Sequence, residues 1–406
     1  MRILFTVFGS RPHLYPLVPL AWAFRAAGHE VRMTSTPVWA ADLAYTGLPV
    51  ITVGGSPRVP AAMRDELATA MFTQEPWPVD WAADVGALGP QRLAYLDLAG
   101  RYLAAAAEAM LDELVAFGQD WNPHAVVYDS FSYAGPAAAA ALGVPAIRHL
   151  SGTDSAQRLE LAQPGPGPLP EYAALFERFG VPVRTEPWSA VDPTPPSMRV
   201  TAPDGLLNMR YVPYNGPGTE PDGLIGPRSR PRVCVTWGHT ISAAVGAEGI
   251  LPFGQAVDAI TALGMDCLVA APEADLDRLG PWPDSVRALA SVPLNVVLPH
   301  CDAIVHQGGD GTALTAAVAA IPQLVVTASP EADMCGGRLA ATGAGIHLRH
   351  PQLRRDPAGP AVIRDAIHAL LTEPGHAAAA HGLAAEIARQ PAPTEVVATL
   401  TNLLDT

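Results

Sequence analysis

The chain has 406 residues, more than one hydrophobic core usually serves, and this length fits two domains of roughly 150–200 residues each. Hydrophobic residues make up 49% and charged residues 16%, which supports large buried cores and excludes a chain disordered by composition. Its 39 acidic residues outweigh 25 basic ones, all of them Arg, for a net charge of −14, which argues against nucleic acid or an anionic membrane as the main partner.

Any anionic ligand must therefore be held by local groups: backbone N–H, a His or a placed Arg. The four cysteines, Cys234, Cys267, Cys301 and Cys335, stand roughly thirty residues apart with no CxxC pair and no Cys/His cluster at metal spacing, so they read as buried reduced thiols and no metal site is expected. Met1–Phe8 is too short for the apolar region of a signal peptide, and no stretch approaches a membrane span. A cytoplasmic protein is expected.

In chain order, Arg2–Phe8 reads as a buried strand ending in a Gly-Ser turn, followed by a loop, Gly9–Tyr15. A helix from Pro16 to Ala27 stops at Gly28, and a second strand covers His29–Thr34. Ser56–Ala87 contains Phe72, Trp77 and Trp81 among prolines, and Gln163–Pro170 alternates Pro with small residues. Such long loops either shape a ligand pocket, which would make the three aromatics acceptor contacts, or are tolerated surface. Ala125–Tyr128 is a short strand ending at Asp129, with a helix Phe131–Leu142, a stop at Gly143 and a strand Pro145–His149.

Asp192–Pro231 is rich in Pro and Gly and should hold the interdomain linker, with the cut near Tyr214–Arg230. The opening grammar then returns about 230 residues on: strand Arg232–Thr236, turn at Gly238, helix Pro252–Leu263, stop at Gly264, strand Asp266–Ala270. Ala303–His306 runs into a Gly-rich turn, a helix Thr312–Ala320 and a strand Gln323–Thr327. Two Rossmann-like starts imply two doubly wound α/β domains in tandem. A final helix near Pro393–Leu404 needs an apolar partner, and crossing back onto the first domain is one way to find it.

Neither start carries G-x-G-x-x-G, which disfavours a nicotinamide or flavin cofactor. The strongest local signal is His306-Gln307-Gly308-Gly309-Asp310-Gly311-Thr312. Glycines admit a ligand close to the backbone and a helix start adds donors and positive dipole, which suits a phosphate, with the His306 ring and Thr312 hydroxyl as side-chain donors. The alternative is a turn whose glycines only permit tight strand-to-helix packing.

The motif HQGGDGTALTA, followed by IPQLVV and RLAATGAGI, resembles the donor-binding region of family 1 glycosyltransferases of the GT-B fold. FTVFGSRPHLYPLVPLAWAFRAAGHEVR, VVYDSFSYAGP and YVPYNG are similar to members of that family from actinomycete antibiotic pathways, including macrolide, aromatic polyketide and enediyne pathways. The likeness keeps its order across both halves. It implies two Rossmann-like domains facing across a cleft: residues 1–213 binding the acceptor, 214–230 as linker, and 231–406 binding a nucleotide sugar. It also implies transfer of a sugar, often a deoxysugar, to a small hydrophobic natural product, with no cofactor, no metal and a dTDP-sugar favoured over a UDP-sugar as co-substrate.

Carried over by residue, the resemblance puts His13 on the general base and Asp129 on the carboxylate that orients it. An alcohol attacks an anomeric carbon only as its proton leaves, and an imidazole titrates near neutral pH. His306, Gly308, Gly309, Gly311 and Thr312 fall on diphosphate contacts, as do Thr236, Gly238 and His239 in the first loop of the second domain. Ser291 stands where the family often has a Trp that stacks on the nucleobase, so the base would rest on Ser291 and Val292. An Asp-Gln pair that grips donor hydroxyls aligns on Glu331-Ala332; Glu331 can accept hydrogen bonds, but Ala332 cannot replace an amide. Either the donor has fewer hydroxyls, or Asp333 or a shifted loop compensates, or the enzyme is weak. A C-glycosyltransferase, a nucleotide-sugar epimerase and a non-catalytic partner protein of the same fold remain open, as do a homodimer and a helper protein.

Overall fold

A computed structural model of the protein describes residues 1–56, 59–73, 77–162, 167–202, 205–238, 251–350, 353 and 358–405. Seven strands form the first sheet: β1 (Arg2–Thr6), β2 (Glu30–Ser35), β3 (Val50–Thr52), β4 (Ala125–Asp129), β5 (Ala146–His149), β6 (Ser189–Asp192) and β7 (Leu206–Asn208). Six form the second: β8 (Arg232–Thr236), β9 (Asp266–Ala271), β10 (Val286–Ala290), β11 (Ala303–His306), β12 (Gln323–Thr327) and β13 (Gly345–Arg349). Every pairing is parallel, in the orders β3-β2-β1-β4-β5-β6-β7 and β10-β9-β8-β11-β12-β13. The central strands are short apolar runs because helices cover both faces of a parallel sheet.

This topology positions the site. In each sheet the order reverses between the first strand and the fourth in sequence, at β1/β4 and at β8/β11. The loops leaving the carboxyl ends of those strands diverge, and the crevice between them is where open α/β sheets bind ligands. His13 follows β1 and Asp129 ends β4, whereas Gly238 follows β8 and the glycine turn follows β11.

Several segments differ from the sequence expectation. Ser56–Ala87 is not loop throughout, since Ala61–Thr73 is helical. A 32-residue helix, Pro90–Trp121, begins with Pro at its first turn and ends at Asn122 in the left-handed region. Its buried positions, among them Leu96, Leu103, Ala107, Met110, Leu111 and Leu114, recur at helical spacing and cover one face of the first sheet. The Pro- and Gly-rich stretch from Asp192 is not all linker either, because β7 lies within it. Of the loop Gln163–Pro170, residues 163–166 lie outside the described residues.

The final helix, Pro393–Leu404, crosses back. Val396, Val397 and Leu400 enter the core of the first domain beside Ile3, Phe5, Leu20 and Phe24, so by packing it leaves the second half of the chain. The four cysteines are buried and unbridged. Among the described residues no helix is long and apolar enough to cross a membrane. Leu400 is fully buried, so Leu400→Ala should cost about 3 kcal/mol in urea unfolding. A loss below about 0.5 kcal/mol, the range of surface changes, would contradict this docking.

Candidate active site

The loop after β1 enters a short helix, Arg11–Leu14, with Ser10 at its N-cap and Pro12 in its first turn. This helix carries His13, which is 8% exposed. Its Nδ1 lies 3.3 Å from Asp129 Oδ1. Asp129 is fully buried, and its carboxylate accepts two backbone hydrogen bonds, from Phe8 N–H at Oδ2 (2.6 Å) and from Phe131 N–H at Oδ1 (2.9 Å). Those amides fix the carboxylate, and its charge lies beside the imidazole.

Aromatic rings surround His13. Phe8 meets it edge-on at 5.7 Å between centroids, Phe131 lies at 4.6 Å, and Tyr102 packs on Phe8 at 6.1 Å. All three are half-buried. His149, in register with Asp129 on the neighbouring strand, is fully buried, and burial lowers its pKa to about 4. It is neutral at pH 7.

In the second domain β11 ends at His306, and Gly309 caps the helix Asp310–Val318. Gly308 has φ +93°, and a Cβ there would lie 2.9 Å from Thr327 Cγ2 and 3.0 Å from Ala332 Cβ, so only glycine fits. The first turn of the helix supplies N–H groups and the positive end of its dipole. Gly238 opposes this turn across the switch point with φ +65°, its N–H donating to Thr236 Oγ1 at 3.4 Å. Gly311 and Thr312 lie in the first helical turn; the Gly311 carbonyl accepts from Tyr211 OH at 3.3 Å. His239 lies outside the described residues.

His306 departs from its expected role. Its Nδ1 accepts from Gly308 N–H at 3.1 Å, and its Nε2 lies 3.0 Å from Gln323 Oε1. Gln323 Nε2 donates to the Ala313 carbonyl, so Oε1 accepts and His306 carries its proton on Nε2. Burial holds its pKa at about 4. A neutral imidazole with both nitrogens occupied shapes the glycine turn and gives a diphosphate neither charge nor a donor.

The two half-sites are tied directly. The Asp310 carboxylate, at the start of the phosphate-turn helix, accepts from Thr153 N–H (3.0 Å) and Thr153 Oγ1 (2.8 Å) of the first domain. A second seam explains the tryptophans. Trp77 and Trp81 are each 2% exposed and pack edge to face with one another. Trp81 Nε1 donates to the Pro330 carbonyl (3.2 Å), Arg349 donates to the Trp77 carbonyl (2.9 Å), and Arg338 lies 2.7 Å from Asp80. They are seam residues and not acceptor-facing walls, because they are buried in the first domain's core, which Met334 of the second domain joins. Phe72 lies near the end of the helix Ala61–Thr73, and its side chain is outside the described residues.

Glu331 reaches across the same seam and accepts from Tyr95 OH at 2.8 Å. Asp333 does not take the donor-facing position. It turns inward, accepting from Thr327 Oγ1 and lying 3.4 Å from both His347 Nε2 and Arg349 Nε. Ala332 is buried against the glycine turn. Ser291 is exposed in the left-handed region, with its N–H on the Ala271 carbonyl, and Val292 packs into the core beneath it. Among the described residues no group of three or more His, Cys, Asp or Glu is placed to hold a metal ion.

Two facing Rossmann-like domains, with a His–Asp pair at one switch point and a glycine turn leading into a helix at the other, fit the class of GT-B glycosyltransferases. Residues 22–238 match the N-terminal domain of the erythromycin biosynthesis protein CIII-like family and residues 254–403 match its C-terminal domain. The chain belongs to that family and is a glycosyltransferase. It is 34% identical over 99% of its length to 10-deoxymethynolide desosaminyltransferase of Streptomyces venezuelae (97% of that protein). It is 35% identical over 99% of its length to aklavinone 7-beta-L-rhodosaminyltransferase of Streptomyces galilaeus (96% of that protein). Among solved structures, glycosyltransferase VinC in complex with dTDP superimposes with a TM-score of 0.81 at 31% identity, covering all of both chains. Spinosyn rhamnosyltransferase SpnG with thymidine diphosphate gives 0.79 at 28% identity, covering 99% of this chain and 100% of that one.

The depressed pKa values of His149 and His306 have a sign. Both lie below the ordinary 6.5, so the unfolded state binds more protons as pH falls from about 6.5 to about 4. Their contribution is complete above about 6.5 and is lost on acidification through that window, on the order of 3 kcal/mol for each. Urea unfolding at pH 7 and pH 5 should show the drop, and His149→Phe should flatten it; equal slopes in the two proteins would refute the assignment.

Proposed function

We propose that the protein is an inverting, metal-independent glycosyltransferase that moves a deoxysugar from a dTDP-sugar to a hydroxyl of a small hydrophobic natural product. The observation that carries this reading is the His13–Asp129 pair, 3.3 Å apart, at one switch point with the glycine turn at the other. Nε2 is the ring nitrogen on the far side from Asp129. It takes the proton of the acceptor hydroxyl as the oxygen attacks the anomeric carbon from the face opposite the diphosphate. The new C–O bond forms, the bond to the phosphate oxygen breaks, and its electron pair leaves with the nucleoside diphosphate. Asp129 balances the imidazolium, while helix-start amides balance the charge on the leaving group.

The relatives support the donor. Desosaminyl- and rhodosaminyltransferases are named for deoxysugars, and VinC and SpnG hold thymidine diphosphate. Ala332 and the inward-turned Asp333 remove two polar grips, which penalises a donor with fewer hydroxyls least. Phe8, Tyr102 and Phe131 around His13 supply the apolar, aromatic wall for the acceptor.

Incubation with dTDP- and UDP-sugars and candidate aglycones, read by mass spectrometry, tests the reading. The expected product has inverted anomeric configuration by NMR, and the rate is insensitive to EDTA. His13→Ala should lower turnover about 10²–10⁴-fold while dTDP affinity is kept. Near-normal turnover of that variant on a hydroxyl acceptor would overturn the role of His13.

A further inference from the structure

Asp310 stands between Gly309 and Gly311 as the first residue of the helix Asp310–Val318. A carboxylate there suits the positive end of the helix dipole, and for the same reason it competes with any anion brought to those amides. The first domain meets that carboxylate with the loop after β5. Thr153, 2% exposed, donates its N–H (3.0 Å) and its hydroxyl (2.8 Å) to a single oxygen, Asp310 Oδ1. Hydrogen bonds to an ionised acceptor are about twice as strong as neutral ones. The loop comes very near: a Cβ on Gly152 would stand 2.2 Å from both Asp310 Cβ and Cγ, so only glycine brings it to this helix start.

The two partners lie in different domains, so the contact forms only when the domains face each other. With Thr153 in place the carboxylate is held on the first domain. Without it the same charge faces a donor's diphosphate, in a protein of net charge −14 that has no basic field to offset it. We propose that Thr153 is a positioning residue for sugar transfer: from the acceptor domain it holds the Asp310 charge off the diphosphate, so that tight donor binding requires the closed arrangement of the two domains. This rests on the reading of the donor as a nucleoside diphosphate sugar seated on the glycine turn.

Four proteins separate a charge effect from a structural one: wild type, Thr153→Val, Asp310→Asn and the double variant. Each is titrated with dTDP by calorimetry and with thymidine, which carries no charge, by NMR. Wild type should bind both. Thr153→Val keeps the shape but loses the hydroxyl, and should weaken dTDP about tenfold. Asp310→Asn keeps an acceptor oxygen without the charge and should bind dTDP at least as tightly as wild type; adding Thr153→Val to it should change the affinity less than about twofold. Thymidine affinity should be equal in all four. A merely structural role for Thr153 would survive the loss of the charge, so equal weakening of dTDP by Thr153→Val in both backgrounds would overturn the proposal. Unchanged dTDP affinity in Thr153→Val, weaker dTDP binding by Asp310→Asn, or a parallel loss of thymidine would do the same. Failure of the wild type to bind either ligand would instead overturn the donor reading, and the proposal with it.

Discussion

The carboxylate of Asp129 is the constraint on which the rest of the site depends. Taking a carboxylate wholly out of water costs several kcal/mol unless donors meet its oxygens. Here the donors are the N–H groups of Phe8 and Phe131. The first belongs to the loop after β1 and the second to the turn after β4, so satisfying one buried charge closes two loops over one switch point. The short helix bearing His13 follows from that closure, and Phe8 and Phe131 bring their rings against the imidazole by the same geometry.

On the proposed function the second domain faces the opposite problem, holding negative charge in a protein of net charge −14. It offers no broad basic field. Backbone amides gather at the glycine turn, the turn is shaped by a neutral His306 braced on Gln323, and the Asp310 carboxylate that would oppose an anion is occupied by Thr153. That last contact has a second effect, since it joins the cradle to the domain that carries His13. With the Trp81–Pro330 and Arg349–Trp77 bonds, it faces the two half-sites toward each other. Geometry of this kind turns two loops roughly 290 residues apart in sequence toward one another, as a single reaction centre would need.

What was legible in the sequence follows from locality. The strands Arg232–Thr236, Ala303–His306 and Gln323–Thr327 match the sequence reading residue for residue, because buried parallel strands are apolar runs bounded by turns. The glycine stops at Gly28 and Gly264 adopt positive φ for the same local reason. His13 and Asp129 were reached through family resemblance, and they stand 3.3 Å apart. Non-local partners were out of reach. Trp77 and Trp81 look like pocket aromatics until they are seen buried in a core that spans residues 4 to 176 and takes in Met334. His306 looks like a phosphate donor until Gln323 occupies its Nε2. β7 was hidden by the Pro and Gly around it, and the helix Pro90–Trp121 by an Ala-rich pattern of low contrast.

A crystal structure of the protein with dTDP and an acceptor tests the central claim, that the His–Asp pair and the glycine turn act on the same bond. The account predicts the acceptor oxygen about 3 Å from His13 Nε2, with the diphosphate on the turn from Gly308 to Thr312 and the two on opposite sides of the space left for the sugar. A diphosphate seated elsewhere, or a reactive hydroxyl directed away from His13, would contradict it.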